Sequence, residues 1–224
     1  MRNAIGQYTD WQVIDYRPAI AEVLPHILLP YLSNCQTALE IGCNAGAASL
    51  FLARHGLSVL GVDINPDAIN IARAQAGKEE SRARARFLVA DITESQDLGA
   101  FDVVMMIRLL TCFPSVGSWK RLLRRAFSSI ADGGLIYIND FLLDETSDVY
   151  RNRYEAGAKL GWRSGNFAVN DAEGNLLFVA HHHSADELKE IISPYEQKEF
   201  QIYKSLSMNG NECKMFEFIG RKPV

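Results

Sequence analysis

Three short segments carry residues whose types and order could do chemistry. Glu40-Ile-Gly42-Cys43-Asn44-Ala45-Gly46 sets two glycines in a turn. There the backbone can pass close to a ligand, and a following helix offers free N–H groups. Asp63 ends the next apolar run, where a carboxylate can accept both hydroxyls of a ribose. Asp91-Ile92 ends a third. Its carboxylate can accept from an exocyclic amine, with Ile64 and Ile92 sandwiching an adenine. In that order the three suit a nucleoside. A dinucleotide fingerprint requires G-x-G-x-x-G, but here Asn44 stands for the middle glycine and Ala47 for the last. That disfavours a pyrophosphate binder and keeps an NAD-dependent oxidoreductase as a rival.

A second group is His181-His182-His183, at the end of a later apolar run. Strand alternation puts His181 and His183 on one face and His182 on the other. They are the candidates for a general base, a role needed only where a nucleophile holds a proton. The competing readings are a strand edge of packed and solvated histidines, or a pair of zinc ligands. The sequence places no third ligand, and no metal is expected. Tyr8, Trp11, Tyr16 and Arg17 form an N-terminal group that could close over a pocket, with Arg17 near a carboxylate of the ligand. Asn139, Asp140, Tyr154 and Trp162 are further candidates for substrate contact, against local hydrogen bonding or helix packing.

The elements that must position these groups alternate. Thr37 to Cys43, Ser58 to Ile64, Ala85 to Ile92, Phe101 to Arg108 and Leu135 to Leu143 read as buried strands. Helices are predicted over Ala47 to Arg54, from Asn65-Pro66-Asp67 onward, and over Ser118 to Ala131, ended by Asp132-Gly133-Gly134. Continuous apolar strands separated by helices predict a parallel sheet covered on both faces. Its ligands should lie at the carboxyl ends of the strands. Hairpins are expected over 166–181 and 197–220, and Ser184-Ala-Asp-Glu187 is a capping box opening a helix to Ile192. Helical patches are expected over Trp11 to Tyr16 and Ala19 to Leu32, broken by prolines.

The set Glu40-x-Gly42-x-Asn44-x-Gly46, Asp63, Asp91-Ile92, Phe101-Asp102-Val-Val and Asp132-Gly133-Gly134 resembles the class I S-adenosylmethionine-dependent methyltransferases. By motif the resemblance covers residues 36–143. It implies a Rossmann-like, doubly wound, seven-stranded sheet, mostly parallel, with an antiparallel C-terminal hairpin strand. It implies that Gly42, Cys43, Asn44 and Gly46 approach the amino-acid part of S-adenosylmethionine, and that Glu40 supports that loop or binds the amino group. Asp63 would bind the ribose, and Asp91 and Ile92 the adenine. Ile107 and Arg108 would sit beside the methionine moiety and the substrate, and Tyr16 and Arg17 would complete the cofactor site. The expected organisation is one domain over 1–224. It comprises an N-terminal helical lid (1–35), a cofactor core (36–143), a substrate-lid insertion (144–183) with Tyr8 and Trp11 facing it, and a C-terminal helix and hairpin (184–224).

Composition narrows the partners. The chain has 224 residues, 48% hydrophobic, with a net charge of −4. That balance argues against a phosphate-backbone binder. The run Lys120-Arg121-Leu-Leu-Arg124-Arg125 falls on the outer face of a helix. The four cysteines form no CxxC pair and no zinc spacing. No apolar run approaches the roughly 20 residues of a membrane helix. The expectation is a cytoplasmic enzyme, monomer or homodimer. It would methylate oxygen or nitrogen of a small molecule by proximity and, where the acceptor is protic, a histidine base. An RNA methyltransferase and a non-catalytic S-adenosylmethionine-binding protein are the two remaining rivals.

Overall fold

The computed structural model describes residues 23–78, 84–94, 98–171, 173–207 and 210–224. Its centre is a seven-stranded sheet. The strands are β1 (Thr37–Ile41), β2 (Ser58–Asp63), β3 (Ala85–Val89), β4 (Phe101–Ile107), β5 (Ile130–Phe141), β8 (Glu196–Leu206) and β9 (Glu212–Arg221). Their order is β3-β2-β1-β4-β5-β9-β8. The first five run parallel, and β9 enters antiparallel between β5 and β8. From β1 the chain builds outward to β2 and β3, then restarts on the other side with β4. The β1/β4 boundary is thus the topological switch point, where crossovers diverge and leave a crevice at the carboxyl ends.

Helices cover both faces. Helix α1 (Ala47–Arg54) and α2 (Pro66–Ala76) bury Leu50, Leu52, Ile69 and Ala72 against Val59, Val103 and Leu135. On the opposite face α3 (Val116–Ser128) and α5 (Ala185–Ile192) pack Trp119, Leu122, Leu188 and Ile191 on Ile136, Ile138 and Phe218. The caps form as their residues dictate. Asn65 accepts from the Asp67 and Ala68 N–H groups with Pro66 in the first turn, and Ser184 and Glu187 make both bonds of the capping box. The basic run of α3 does face outward, with Lys120 paired to Glu190 at 2.5 Å.

Several expectations are corrected. Strand β3 stops at Val89 and exposes Arg86, Leu88 and Val89, because it is the sheet edge and not a buried strand. Helix α3 starts at Val116 on a Ser115 cap and ends at Ser128, and β5 begins already at Ile130. Asp132-Gly133-Gly134 is therefore an irregularity inside β5. The register on β4 shifts between Phe101 and Val103 there, and Gly133 and Gly134 let Arg221 and Lys222 bond to their carbonyls. Of the helix expected over Ala19 to Leu32, the described part is a 3-10 turn, His26–Tyr31. Pro25 and Pro30 remove the donors a longer helix needs. The patch Trp11 to Tyr16 lies outside the described residues.

The insertion after β5 holds helix α4 (Asp148–Lys159) and a separate two-stranded ribbon, β6 (Asn166–Asn170) with β7 (Leu176–His181). A third core joins it to the sheet through Phe141, Tyr150, Phe167, Ala180, Cys213 and Met215. Its two ends meet: the His183 N–H donates to the Phe141 carbonyl at 3.2 Å, and the Leu143 N–H donates to the His183 carbonyl at 2.9 Å.

Candidate active site

Strand β1 delivers Glu40 and the following loop to the crevice. Gly42 and Cys43 both donate to the Val62 carbonyl, at 2.8 and 3.0 Å, which folds the loop over the end of β2. Gly42 (φ 73°), Asn44 (φ 50°) and Gly46 (φ 83°) all take the left-handed conformation. Asparagine is among the few residues besides glycine that visit it readily. This explains physically how Asn44 stands where glycine is commoner. Asp63 ends β2 and accepts from the Asn44 N–H and the Asn65 N–H, each at 2.9 Å. Those bonds hold the loop and leave lone pairs on both oxygens.

Glu40 is buried, its Oε2 accepting from Ser49 at 2.5 Å. Loss of water pushes its carboxyl up to about 8 despite that bond. Burial likewise raises Asp63, against the bonds from Asn65 and Asn44. Asp91 accepts from the Thr93 N–H and hydroxyl through Oδ1, each at 2.8 Å, which leaves Oδ2 for another donor.

These groups line one cavity of about 380 Å³, within the usual size of ligand sites. Glu40, Gly42, Cys43, Asn44, Asp63, Ile64, Asp91, Ile92, Ile107 and Arg108 all reach it. Gly46 does not. Its place is set by packing, since a Cβ there would come within 2.7 Å of Phe87. The far half of the cavity is aromatic, formed by Phe113, Phe141, Tyr150, Phe167 and Phe178 with Arg153 and His182.

A family model described as "Methyltransferase domain" matches residues 39–136. A solved S-adenosylmethionine-dependent methyltransferase from Methanosarcina mazei superposes with a TM-score of 0.84 and 29% identity, covering 91% of this chain and 100% of that one. The chain thus carries a methyltransferase domain with the fold of the S-adenosylmethionine-dependent methyltransferases. Among curated proteins, a ubiquinone biosynthesis O-methyltransferase from Aeromonas salmonicida is 29% identical over 101 residues, 45% of this chain and 41% of that protein. A magnesium-protoporphyrin O-methyltransferase from Rhodobacter capsulatus is 34% identical over 88 residues, 38% of each chain. The match thus spans about two fifths of the length of these curated relatives.

The side chains present suit a methyltransferase cofactor by their chemistry. Acceptors stand at Glu40 for an ammonium, at Asp63 for hydroxyls and at Asp91 for an amine, with Ile64, Ala90 and Ile92 offering apolar surface. Arg108 is the other non-glycine residue at positive φ (51°) among the described residues. Its N–H donates to the Asn139 carbonyl at 2.7 Å, and its guanidinium lies 5.8 Å from the Phe141 ring centre. Sparsely populated backbone states of this kind cluster at functional sites.

The histidines separate as strand alternation requires. His182 lines the cavity, stacked on Phe141 (5.0 Å, 6° between planes), with Nδ1 hydrogen-bonded to the Tyr154 hydroxyl at 2.7 Å. Burial, then the neighbouring His181 and His183, hold its pKa well below the usual value. His181 and His183 face away and do not line the cavity. The four side chains expected at the substrate, among the described residues, do not line it. Asn139 is buried and bonded to Tyr203 at 2.5 Å. Asp140 is buried and accepts the Leu110 and Thr111 N–H groups. Tyr154 orients His182, and Trp162 packs on Gly157. Tyr8, Trp11, Tyr16 and Arg17 lie outside the described residues. Phe141, Phe167 and Phe178 do not stand out in the sequence. Each is an apolar residue in a strand, with no signal that its face meets a ligand and not the core.

Proposed function

We propose that the chain methylates an oxygen, or failing that a nitrogen, of a planar aromatic small molecule. The observation that carries this is the continuous cavity joining the cofactor loops to the aromatic compartment. The O-methyltransferase relatives, one named for ubiquinone biosynthesis and one for magnesium-protoporphyrin, support oxygen. The net charge of −4 and the outward, partly paired basic run on α3 support a small molecule over RNA. The four free cysteines accord with an intracellular enzyme, monomer or homodimer.

S-adenosylmethionine supplies a methyl group already activated on a sulfonium. The protein's part is to bind, aim and exclude water. Positioning of this kind lowers barriers by roughly 7–11 kcal/mol. Asp63 holds ribose hydroxyls, Asp91 the adenine amine, and Glu40 the ammonium. Phe141, Tyr150 and Phe167 take the flat acceptor. Arg153, whose guanidinium lies 5.5 Å from the Tyr150 ring centre and 5.8 Å from that of Phe167, offers a positive group at the rim for an anionic substituent. His182 is neutral at physiological pH. In the tautomer whose Nδ1–H donates to the Tyr154 hydroxyl, the Nε2 lone pair takes the proton from the acceptor hydroxyl.

The test is methyl transfer to a panel of phenols, catechols, aromatic carboxylates and aromatic amines, read by release of S-adenosylhomocysteine. Turnover on planar aromatics, reduced by about 10²–10⁴-fold in His182→Ala when the acceptor is a phenol, is the expected result. Tight binding of S-adenosylhomocysteine with no turnover on any panel member sinks the reading. Unchanged cofactor affinity in Asp63→Ala, measured by calorimetry, removes the ribose assignment.

A further inference from the structure

Behind the cavity, on the opposite face of the β7 end, His181, His183 and Glu187 offer one ligand atom each within 4.8 Å of one another. We propose that these three side chains bind a single divalent transition-metal ion, Zn²⁺ or a close analogue. Two ligands come from alternate residues of one strand end. The third comes from the first turn of α5, fixed by the capping box, so the set H-x-H-x-x-x-E is short in sequence and rigidly mounted. The sequence alone could not find the third member, because only the fold turns Glu187 back onto the strand.

Three observations point to a cation there. First, His183 is fully buried, yet neither ring nitrogen has a hydrogen-bond partner among the described residues. The polar group facing it is the Leu110 backbone, and the ring otherwise meets the edge of Trp119 and the His181 ring. A buried polar group left unmade costs about 1–3 kcal/mol, and such a group calls for a water or an ion. Second, His181 Nδ1 lies 2.7 Å from Asn166 Oδ1, while its Nε2 lies 3.1 Å from Glu187 Oε2. In the tautomer that donates Nδ1–H to Asn166, Nε2 presents a lone pair to the space shared with Glu187, where the Arg163 guanidinium, with Nη1 at 3.5 Å, already supplies positive charge. An outer partner on the second nitrogen is also how metal-bound histidines are oriented. Third, the Glu187 carboxylate is already supported from outside. Oε2 accepts from the Ser184 N–H at 2.8 Å, and Oε1 pairs with Arg163.

Beside the Ser184 N–H, Oε2 keeps a second lone pair for the ion, while Arg163 holds Oε1 of the same carboxylate. A tetrahedral ion with bonds near 2.0–2.1 Å would set the ligand atoms about 3.4 Å apart, which opens the His181 Nε2–Glu187 Oε2 pair slightly from 3.1 Å and brings the rest of the set, now within 4.8 Å, closer. The His₂-carboxylate donor set suits borderline ions such as Zn²⁺, Co²⁺ or Fe²⁺ over Mg²⁺ or Ca²⁺. Because the His183 backbone closes the neck of the insertion on β5, such an ion would clamp the substrate compartment to the sheet without touching the reacting atoms. It is independent of the methyl-transfer reading.

The experiment uses the full chain stripped with a chelator and titrated with Zn²⁺ alone against a chromophoric competitor, with Co²⁺ as a visible-absorption probe. The expected result is one equivalent bound, a rise in thermal midpoint, and a tetrahedral Co²⁺ spectrum. Binding should fall by about 100-fold or more in His183→Ala and in Glu187→Gln. Glu187→Gln keeps an acceptor for the Ser184 N–H, so it decides the matter if His183→Ala fails to fold. No stoichiometric binding overturns the proposal and leaves an ordered water beside His183. Equal binding by wild type and Glu187→Gln also overturns it, since the ion then sits elsewhere, for instance on Cys35 or Cys112.

Discussion

Glu40 is a carboxyl group kept from water at the end of β1, and its environment fixes how it responds to pH. Its value in the folded chain is about 8, against an ordinary 4.5, chiefly through burial. The folded state therefore holds a proton that the unfolded state has lost. Between about 4.5 and 8 that linkage makes stability fall as pH rises, and the full contribution is present only below 4.5. Glu40→Gln keeps an acceptor toward Ser49 and removes the titration. Its melting midpoint should gain on the wild type steadily from pH 5 to pH 8, as read by calorimetric scans. A ligand ammonium at Glu40 favours the ionised form. Cofactor binding at pH 7 should then release close to one proton, measurable in buffers of different ionisation enthalpy, and the Gln variant should release none. At this scale the sequence is informative where residue type is rare for its position. Carboxylates ending apolar strands, such as Asp63 and Asp91, stand out. Phe141 and Phe167 do not, because an aromatic in a strand is as much at home in a core as in a cavity.

The loop from Gly42 to Gly46 works as an element through its backbone. Three of its five residues are left-handed, and that conformation costs most L-residues about 1–2 kcal/mol. Asn44→Gly should therefore leave stability within about 0.5 kcal/mol. Asn44→Ala should lose about 1 kcal/mol and weaken cofactor binding, since relief of the left-handed strain shifts the backbone N–H that holds Asp63. Chemical denaturation of both variants, with titration of S-adenosylhomocysteine, checks the pair. Gly46→Ala is expected to be worse than either, because its Cβ also meets Phe87 at 2.7 Å. Signals of this local kind are the legible ones: the Asn65-Pro66 start of α2 and the Ser184/Glu187 box both form as their residue types predict. The β5 irregularity is not legible. Asp132-Gly133-Gly134 is a sound helix-ending turn by composition, and what makes it part of a strand is pairing with β4 and the Arg221 and Lys222 contacts from far along the chain.

Across the whole molecule, the reversal of strand order between β1 and β4 brings the carboxyl ends of β1, β2, β3 and β4 to one crevice, and the insertion supplies its far wall. The two parts are held very differently. Strands β1, β4 and β5 are buried in a seven-stranded sheet, whereas β6 and β7 form a two-stranded ribbon, a unit only marginally stable by itself. Amide exchange should show β1, β4 and β5 opening only on global unfolding, and β6 and β7 opening at lower free energy. Equal protection in both would contradict this division. The parallel part of this plan is readable from alternating strand and helix signals, since those elements are consecutive. The meeting of His182 with Phe141 and Tyr150 is not, because it depends on how α4 and the ribbon dock.

The neck of the insertion carries a consequence for how such an enzyme can be rebuilt. Residues 142 and 183 are bridged partners, so everything between them leaves and re-enters the sheet at one point. A segment attached this way is a cassette. Replacing it with another of different length alters the chain's closure entropy by only about 0.6 kcal/mol per doubling, while the strands that carry Glu40, Asp63 and Asp91 stay as they are. New acceptor ranges are therefore reachable by grafting at a single junction, without redesigning the half of the molecule that recognises the methyl donor.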